Sequence, residues 1–272
     1  MSKEEISNEI LLSSPPGEIN DVFNDLRVLI NDDTLLQNLK PTFANYNKSN
    51  LVFVNLPESN PVLITPFNEL DNGSYFDPRT NQSFDLDHMT HAISNIESIT
   101  KSEKFESIRK VLDDSILEYT NEHFPEGVSG VFETVKNGGE IIVCISDSKF
   151  NPNNYWNAKW QSLYTLSIDT KKLVGEAKVL VHYYEDGNVQ LNVNRTLSIN
   201  LDYDLDQPET VSTSTLKEIL KFENSFQNTL NESYSKLTGN AFKNLRRPLP
   251  IFSTKIDWNT ISSRKFKNKK KN

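Results

Sequence analysis

The stretch from Gly130 to Leu197 limits the possible folds more than anything else in the chain, because apolar residues recur there with the two-residue period of strands. Val131 to Val135 and Ile141 to Ile145 flank Asn137-Gly138-Gly139, and Ala177 to Tyr184 and Val189 to Leu197 flank Glu185-Asp186-Gly187-Asn188. Asp-Gly between β-branched runs marks a tight hairpin, since such turns need positive φ, so Gly187 is expected there in that conformation. Trp160 to Ile168 adds a fifth strand. The pattern predicts an antiparallel meander, not the parallel sheet of a nucleotide-binding fold. A meander has two edges and two faces, and something must protect them.

Helical periods frame the sheet. Ile19, Val22, Phe23, Leu26, Leu29 and Ile30 recur at i, i+3, i+4 spacing after Ser14-Pro15-Pro16-Gly17, with Ile6, Ile10 and Leu11 similarly spaced before them. Glu97 to His123 carries Ile108, Val111, Leu112, Ile116 and Tyr119, completing a small N-terminal helical bundle, and Tyr75 to Phe84 reads as a short hairpin around Asp77-Pro78-Arg79. After the sheet, Thr215-Leu216-Lys217-Glu218 has the capping-box pattern and precedes Ile219, Leu220, Phe226, Leu230, Tyr234, Leu237, Ala241 and Leu245. This predicts one helix of roughly 45 Å, weakened at Gly239 and stopped at Pro248 and Pro250.

The fold class expected is α+β: an N-terminal helical stalk, a small β-hairpin region, and a five-stranded antiparallel sheet covered by one long C-terminal helix, then a tentacle-like tail. The divisions are 1–125, 126–250 and 251–272. With 36% hydrophobic residues a sizeable core is available. The lone Cys144 cannot form an intrachain disulfide and suits a reducing compartment. No apolar run approaches the roughly 20 residues of a membrane span, and Lys3, Glu4 and Glu5 interrupt any signal-peptide pattern.

No catalytic pattern survives inspection. Gly127-Val128-Ser129-Gly130 lacks the spacing of a nucleophile elbow, and no phosphate-binding glycine loop is present. Asp85, Asp87, His88 and His91 form the best metal candidate, but a strand carrying the carboxylates and ending before the histidines would not converge them on one ion, so they are read as structural. His182 is read as a sheet histidine and Cys144 as a small buried hydrophobe. The aromatic segment Phe150 to Trp160 has only Lys149 and Lys159 beside it, too little charge for a nucleic-acid groove, and is read as a loop packed on the sheet. No enzyme activity, cofactor, metal or nucleic-acid partner is expected.

The net charge of −8 conceals a strong asymmetry: from residue 240 onward ten Lys/Arg face the single acid Asp257, a net of +9, leaving −17 on the body. A basic arm on an acidic body seeks a polyanion. Lys243, Arg246 and Arg247 fall at i, i+3, i+4 on the last turn of the long helix, where they also suit its C-terminal dipole. Ile256, Trp258 and Ile261 are spaced for one amphipathic turn beyond the prolines.

Pro15-Pro16-Gly17-Glu18, Val22-Phe23-Asn24-Asp25, Asp77-Pro78-Arg79, Trp156-Asn157, Val181-His182-Tyr183-Tyr184-Glu185-Asp186-Gly187-Asn188, Leu245-Arg246-Arg247 and Thr254-Lys255-Ile256-Asp257-Trp258-Asn259 resemble, in order, the α subunits of F-actin capping protein. The resemblance implies a heterodimer with a similarly folded β subunit whose sheet joins this one. It implies binding to the barbed ends of actin filaments, independently of calcium, blocking subunit addition and loss without severing. The implied actin-binding residues are Lys243, Arg246, Arg247, Lys255, Trp258 and Ile261, with Lys243 and Arg247 also meeting phosphoinositide lipid; Ser253 stands where animal relatives carry a basic residue. Regulators of capping are further implied partners, and the implied location is the cytoplasmic actin cytoskeleton, in cortical patches in a fungal cell. The runner-up is a phosphoinositide or membrane-surface module acting through the basic tail.

Overall fold

A capping box fixes the start of the first helix. The structure, a computed structural model, describes residues 2–30, 38–57, 60–100, 104–134, 139–185 and 189–236, apart from the side chains of Tyr234 and Lys236. Helix α1 (Lys3–Leu12) starts at Ser2, whose Oγ accepts from the Glu5 amide at 3.1 Å while Glu5 Oε2 accepts from the Ser2 amide at 2.7 Å. Helix α2 (Ile19–Ile30) and helix α3 (Lys40–Ser49) pack with it around Leu11, Ile19, Leu26, Leu39, Phe43 and Tyr46. Phe23 meets Phe43 edge to face at 5.2 Å. A small helical bundle is present, but its third member is the unexpected α3; the helix carrying Ile108 to Tyr119, expected in the bundle, packs on the sheet instead.

Two short sheets follow: β1 (Phe53–Val54) with β2 (Val62–Leu63), and β3 (Tyr75–Asp77), β4 (Gln82–Leu86) and β5 (Ile93–Ser98). The expected hairpin is β3–β4, with Tyr75 opposite Phe84. Strand β5 corrects the reading of a helix from Glu97: helix α4 begins only at Glu106 and runs to His123. Every residue of β5 is exposed or nearly so, so burial imposed no apolar alternation on its sequence.

The large sheet contains β6 (Val128–Thr134), β7 (Glu140–Asn151), β8 (Trp156–Ser167), β9 (Lys172–Tyr183) and β10 (Val189–Asn200), in the order β10-β9-β8-β7-β6 and antiparallel throughout. The predicted meander is therefore correct in order and direction. The segment 150–160 is not a loop packed on the sheet. It is the β7–β8 hairpin itself, with one 3-10 turn at Pro152–Asn154 and Tyr155 at φ 57°. Phe150 and Tyr155 are about half exposed there. The expected Gly187 turn lies outside the described residues, although Tyr183 opposite Val189 brackets it.

Alternation along β7 sends Ile142 and Cys144 to one face, where they join Leu51, Leu63, Val128 and Phe132. Ile141, Val143 and Ile145 lie on the other and are fully buried. Residues up to Glu223 form one compact unit. Helix α5 (Pro208–Lys236) lays its first half over the second face: Phe222 stacks edge-on with Tyr164 at 6.1 Å, and the Ser212 hydroxyl donates to Ser115 of α4 at 2.9 Å. Thr215 does not cap this helix. Pro208 takes the first position, where its missing N–H costs nothing, and the Thr210 hydroxyl donates to the Gln207 carbonyl at 2.8 Å. Thr215 is fully buried in the interior.

Candidate interaction surface

The two edges of the large sheet are unlike. Strand β6 is buried along almost its whole length under α4 and β2. Strand β10 pairs with β9 at all twelve positions, from Val189↔Tyr183 to Asn200↔Lys172, and has no neighbour on its other side among the described residues. Apolar Val189, Leu191, Val193, Leu197 and Ile199 share a face with one cation, Arg195, which lies over the Phe222 ring of α5 at 5.8 Å, and alternate with Gln190, Asn192, Asn194, Thr196, Ser198 and Asn200. None of the twelve is buried; Val189 is 61% and Leu191 46% exposed. An edge of this kind, roughly 40 Å of unpaired N–H and C=O groups, invites another strand. Proteins that keep such an edge free usually place lysine or proline on it, and β10 has neither. Ile6, Ile10 and Leu12 of α1 and Val28 and Leu29 of α2 are further exposed apolar residues.

Two buried polar networks tie the helices to the sheet. At the junction of the N-terminal helices with the sheet, Glu18 Oε1 accepts from Asn157 Nδ2 at 2.5 Å and from His182 Nδ1 at 2.7 Å. A carboxylate oxygen can only accept, so His182 carries a proton on Nδ1. Three segments that carry the sequence resemblance thus meet at one oxygen: Pro15 to Glu18, Trp156-Asn157, and Val181 to Tyr184. Gly17 sits at φ +81°, and a Cβ there would come within 3.0 Å of Phe150 Cδ2. Tyr46 closes the junction by donating to the Pro15 carbonyl at 2.9 Å.

The second network anchors α5. Fully buried Glu223 accepts from Tyr119 at 2.5 Å, Ser162 at 2.6 Å and Tyr164 at 2.7 Å. Burial holds its carboxyl above the usual range, against the opposing pull of the three hydroxyl donors. Tyr164 lies flat across β9 because Gly175 stands beneath it; a Cβ there would be 2.1 Å from Tyr164 Cδ1.

Other singled-out residues are structural. Asp77 accepts from the Arg79 amide at 3.1 Å and Thr80 Oγ1 at 2.7 Å, while Arg79 forks onto Asp113 at 2.8 and 2.7 Å. Asp85 accepts from Ser74 and Asn95, both at 2.7 Å, and Asp87 from the Met89 amide at 2.9 Å. His88 bonds Tyr75 at 3.2 Å, and Asn47 lies between His88 and His91. The carboxylates are thus spent on Ser74, Asn95 and a backbone amide, while the two histidines share Asn47. Fully buried Cys144 has its thiol held above its ordinary range by desolvation. Lys243, Arg246, Arg247, Lys255, Trp258 and Ile261 lie outside the described residues.

A family model for the F-actin capping protein alpha subunit matches residues 7–269. An F-actin-capping protein subunit alpha of Neurospora crassa is 36% identical over 269 residues, covering 96% of this chain and 94% of that protein. One from Dictyostelium discoideum is 34% identical over 275 residues, covering 97% and 96%. The structure of a homodimeric actin capping protein alpha subunit from Plasmodium berghei superposes with a TM-score of 0.76 over 92% of this chain and 97% of that one, at 18% identity, a likeness of fold.

Proposed function

The chain belongs to the F-actin capping protein alpha subunit family, and on that premise we propose that it pairs with a capping protein β subunit to bind and block the barbed ends of actin filaments. The observation that carries this reading is the family match across residues 7–269, nearly the whole chain. The open β10 edge supports the partnership. A β subunit strand laid along it would satisfy its outer backbone groups and cover Val189 and Leu191. No bond-making chemistry is needed: a cap acts by occupying the surface that the next actin subunit would use, so calcium and severing play no part.

The contact with actin is assigned to the C-terminal residues. Lys243, Arg246 and Arg247 would meet an acidic surface, with Lys255, Trp258 and Ile261 beyond them in the sequence. Lys243 and Arg247 would also bind phosphoinositide headgroups. Cations so placed speed encounter, so capping should slow as salt rises, most steeply below about 0.1 M, where the Debye length exceeds about 10 Å. The proposed location is the cytoplasmic actin cortex, and no described helix is long and apolar enough to cross a membrane.

Seeded elongation of pyrene-labelled actin, with and without chelated calcium, tests the reading. The co-expressed heterodimer should stop growth at substoichiometric ratios. Lys243→Ala/Arg247→Ala should cap more slowly and with a flatter salt dependence. The +9 tail favours one rival, a membrane-surface module, for which liposome co-sedimentation without any capping would be the sign.

A further inference from the structure

A cavity of about 230 Å³ opens where the N-terminal helices meet the sheet. Its wall includes the first two residues of α2, Ile19 and Asn20, together with Tyr46 and His91, Lys149 at the end of β7, and Lys159 of β8. No acidic side chain lines it, in a protein where 37 acidic residues outnumber 29 basic ones. The neighbouring carboxylate, Glu18, is spent on Asn157 and His182.

Lys159 is the anomaly. It is 8% exposed, no hydrogen bond or ion pair to its ammonium is found among the described residues, and the ammonium itself keeps a little contact with solvent. Lysine is almost never buried without a partner, because desolvating an ammonium costs several kcal/mol unless an anion compensates. Burial alone pulls its pKa down to about 8, with no anion opposing the fall. The cation shares its cavity with Ile19 and Asn20 at the start of a twelve-residue helix, an end whose dipole favours negative charge; Asp21 of the same turn does not line the cavity. The exposed Lys149 adds a second cation.

We propose that this cavity binds a small phosphate-bearing anion, inorganic phosphate or a compact phosphate monoester, held by Lys159 and the first turn of α2. Such a ligand would sit beside the Glu18 junction and brace α2 against β8. The site is separate from the C-terminal cations and independent of the capping assignment.

Calorimetric titration of the co-expressed heterodimer with inorganic phosphate, and separately with glycerol 3-phosphate, tests it. Saturable binding in the millimolar range or tighter is expected, weakened about tenfold or more in Lys159→Met, as befits loss of a charge-assisted bond. Lys159→Met itself should fold, since it replaces an unpaired buried cation by an apolar chain of similar length, and exposed Lys110→Ala should bind as wild type. If the methionine variant yields no heterodimer, NMR of labelled lysine side chains in the wild type serves instead: phosphate should raise the pKa of Lys159. Absence of saturable binding, equal affinity in wild type and Lys159→Met, or a Lys159 titration unmoved by phosphate would overturn the proposal. Phosphatidate vesicles separate the lipid source of the same chemistry; Lys159-dependent vesicle binding would also refute a free-anion site.

Discussion

Replacing Glu18 by alanine removes the oxygen shared by Asn157 and His182, which are 1% and 7% exposed. Each loses its acceptor in a place water does not freely reach. A buried donor left unsatisfied costs about 1–3 kcal/mol. Glu18 is itself 18% exposed, so some water can enter its vacated space, and the combined loss is set at about 2–4 kcal/mol. Glu18→Gln keeps one carbonyl oxygen at the same reach and should lose less than half as much. The assay is urea denaturation of the co-expressed heterodimer followed by tryptophan fluorescence, for which Trp156 and Trp160 lie on β8, the strand that carries Asn157. Hydrogen exchange of the first turn of α2 should quicken in the variant before global unfolding does. A double-mutant cycle with His182→Ala should give a coupling well above about 0.5 kcal/mol, because the two side chains touch. An Glu18→Ala heterodimer within about 0.5 kcal/mol of wild type, with unchanged exchange in α2, would refute the view that this oxygen fastens helices to sheet.

Three further outcomes follow from the geometry. A carboxyl whose folded pKa is raised favours the fold while protonated, so the contribution of Glu223 declines as pH climbs from the ordinary Glu value of about 4.3 through the folded one. Urea melts at about pH 5 and about pH 7.5 should therefore show Glu223→Gln gaining on wild type at the higher pH, by about 1.4 kcal/mol for each pKa unit of elevation, and a constant gap would contradict the assignment. Gly175→Ala should destabilise by about 1–3 kcal/mol in thermal melts, because its methyl would overlap Tyr164, and an unchanged melting point would remove that contact from the account. Val189→Lys/Leu191→Lys changes exposed side chains and should leave the chain's own packing intact, yet co-purification with the β subunit should drop sharply; undiminished pairing would move the interface off β10.

What the sequence made legible is what burial had written into it with a period. Strands β6 to β9 carry alternating or continuous apolar runs because one or both faces are covered, and the α2 and α4 patterns survive for the same reason, whereas β10 alternates although none of its residues is buried within this chain. Strand β5 has neither face covered and left no trace. Helix α3 was missed because it buries Thr42 and Asn47 beside Phe43 and Tyr46, so half of its inner face is polar. The start of α5 was misplaced because a local Thr-x-x-Glu pattern outcompeted Pro208, although Thr215 is buried by tertiary packing. The two polar networks were invisible for a different reason. Glu18 and His182 are 164 residues apart, Tyr119 and Glu223 104 apart, and nothing local distinguishes a buried carboxylate from a solvated one. The only hint was that Glu223 lies next to Phe222 on a helix that also buries Val211 and Ile219. Recognition of the Pro15 to Glu18 and His182 motifs found the right residues without revealing that they touch.

As proposed, this chain with a capping protein β subunit would occupy one end of an actin filament and leave the other free. Single-filament fluorescence microscopy of polarity-marked filaments measures that directly. With the co-expressed heterodimer present, fast-growing barbed ends should stop and stay stopped while pointed ends continue at their slow rate and filaments remain unbroken. Barbed ends that keep elongating at saturating heterodimer, or arrest at both ends alike, would contradict it.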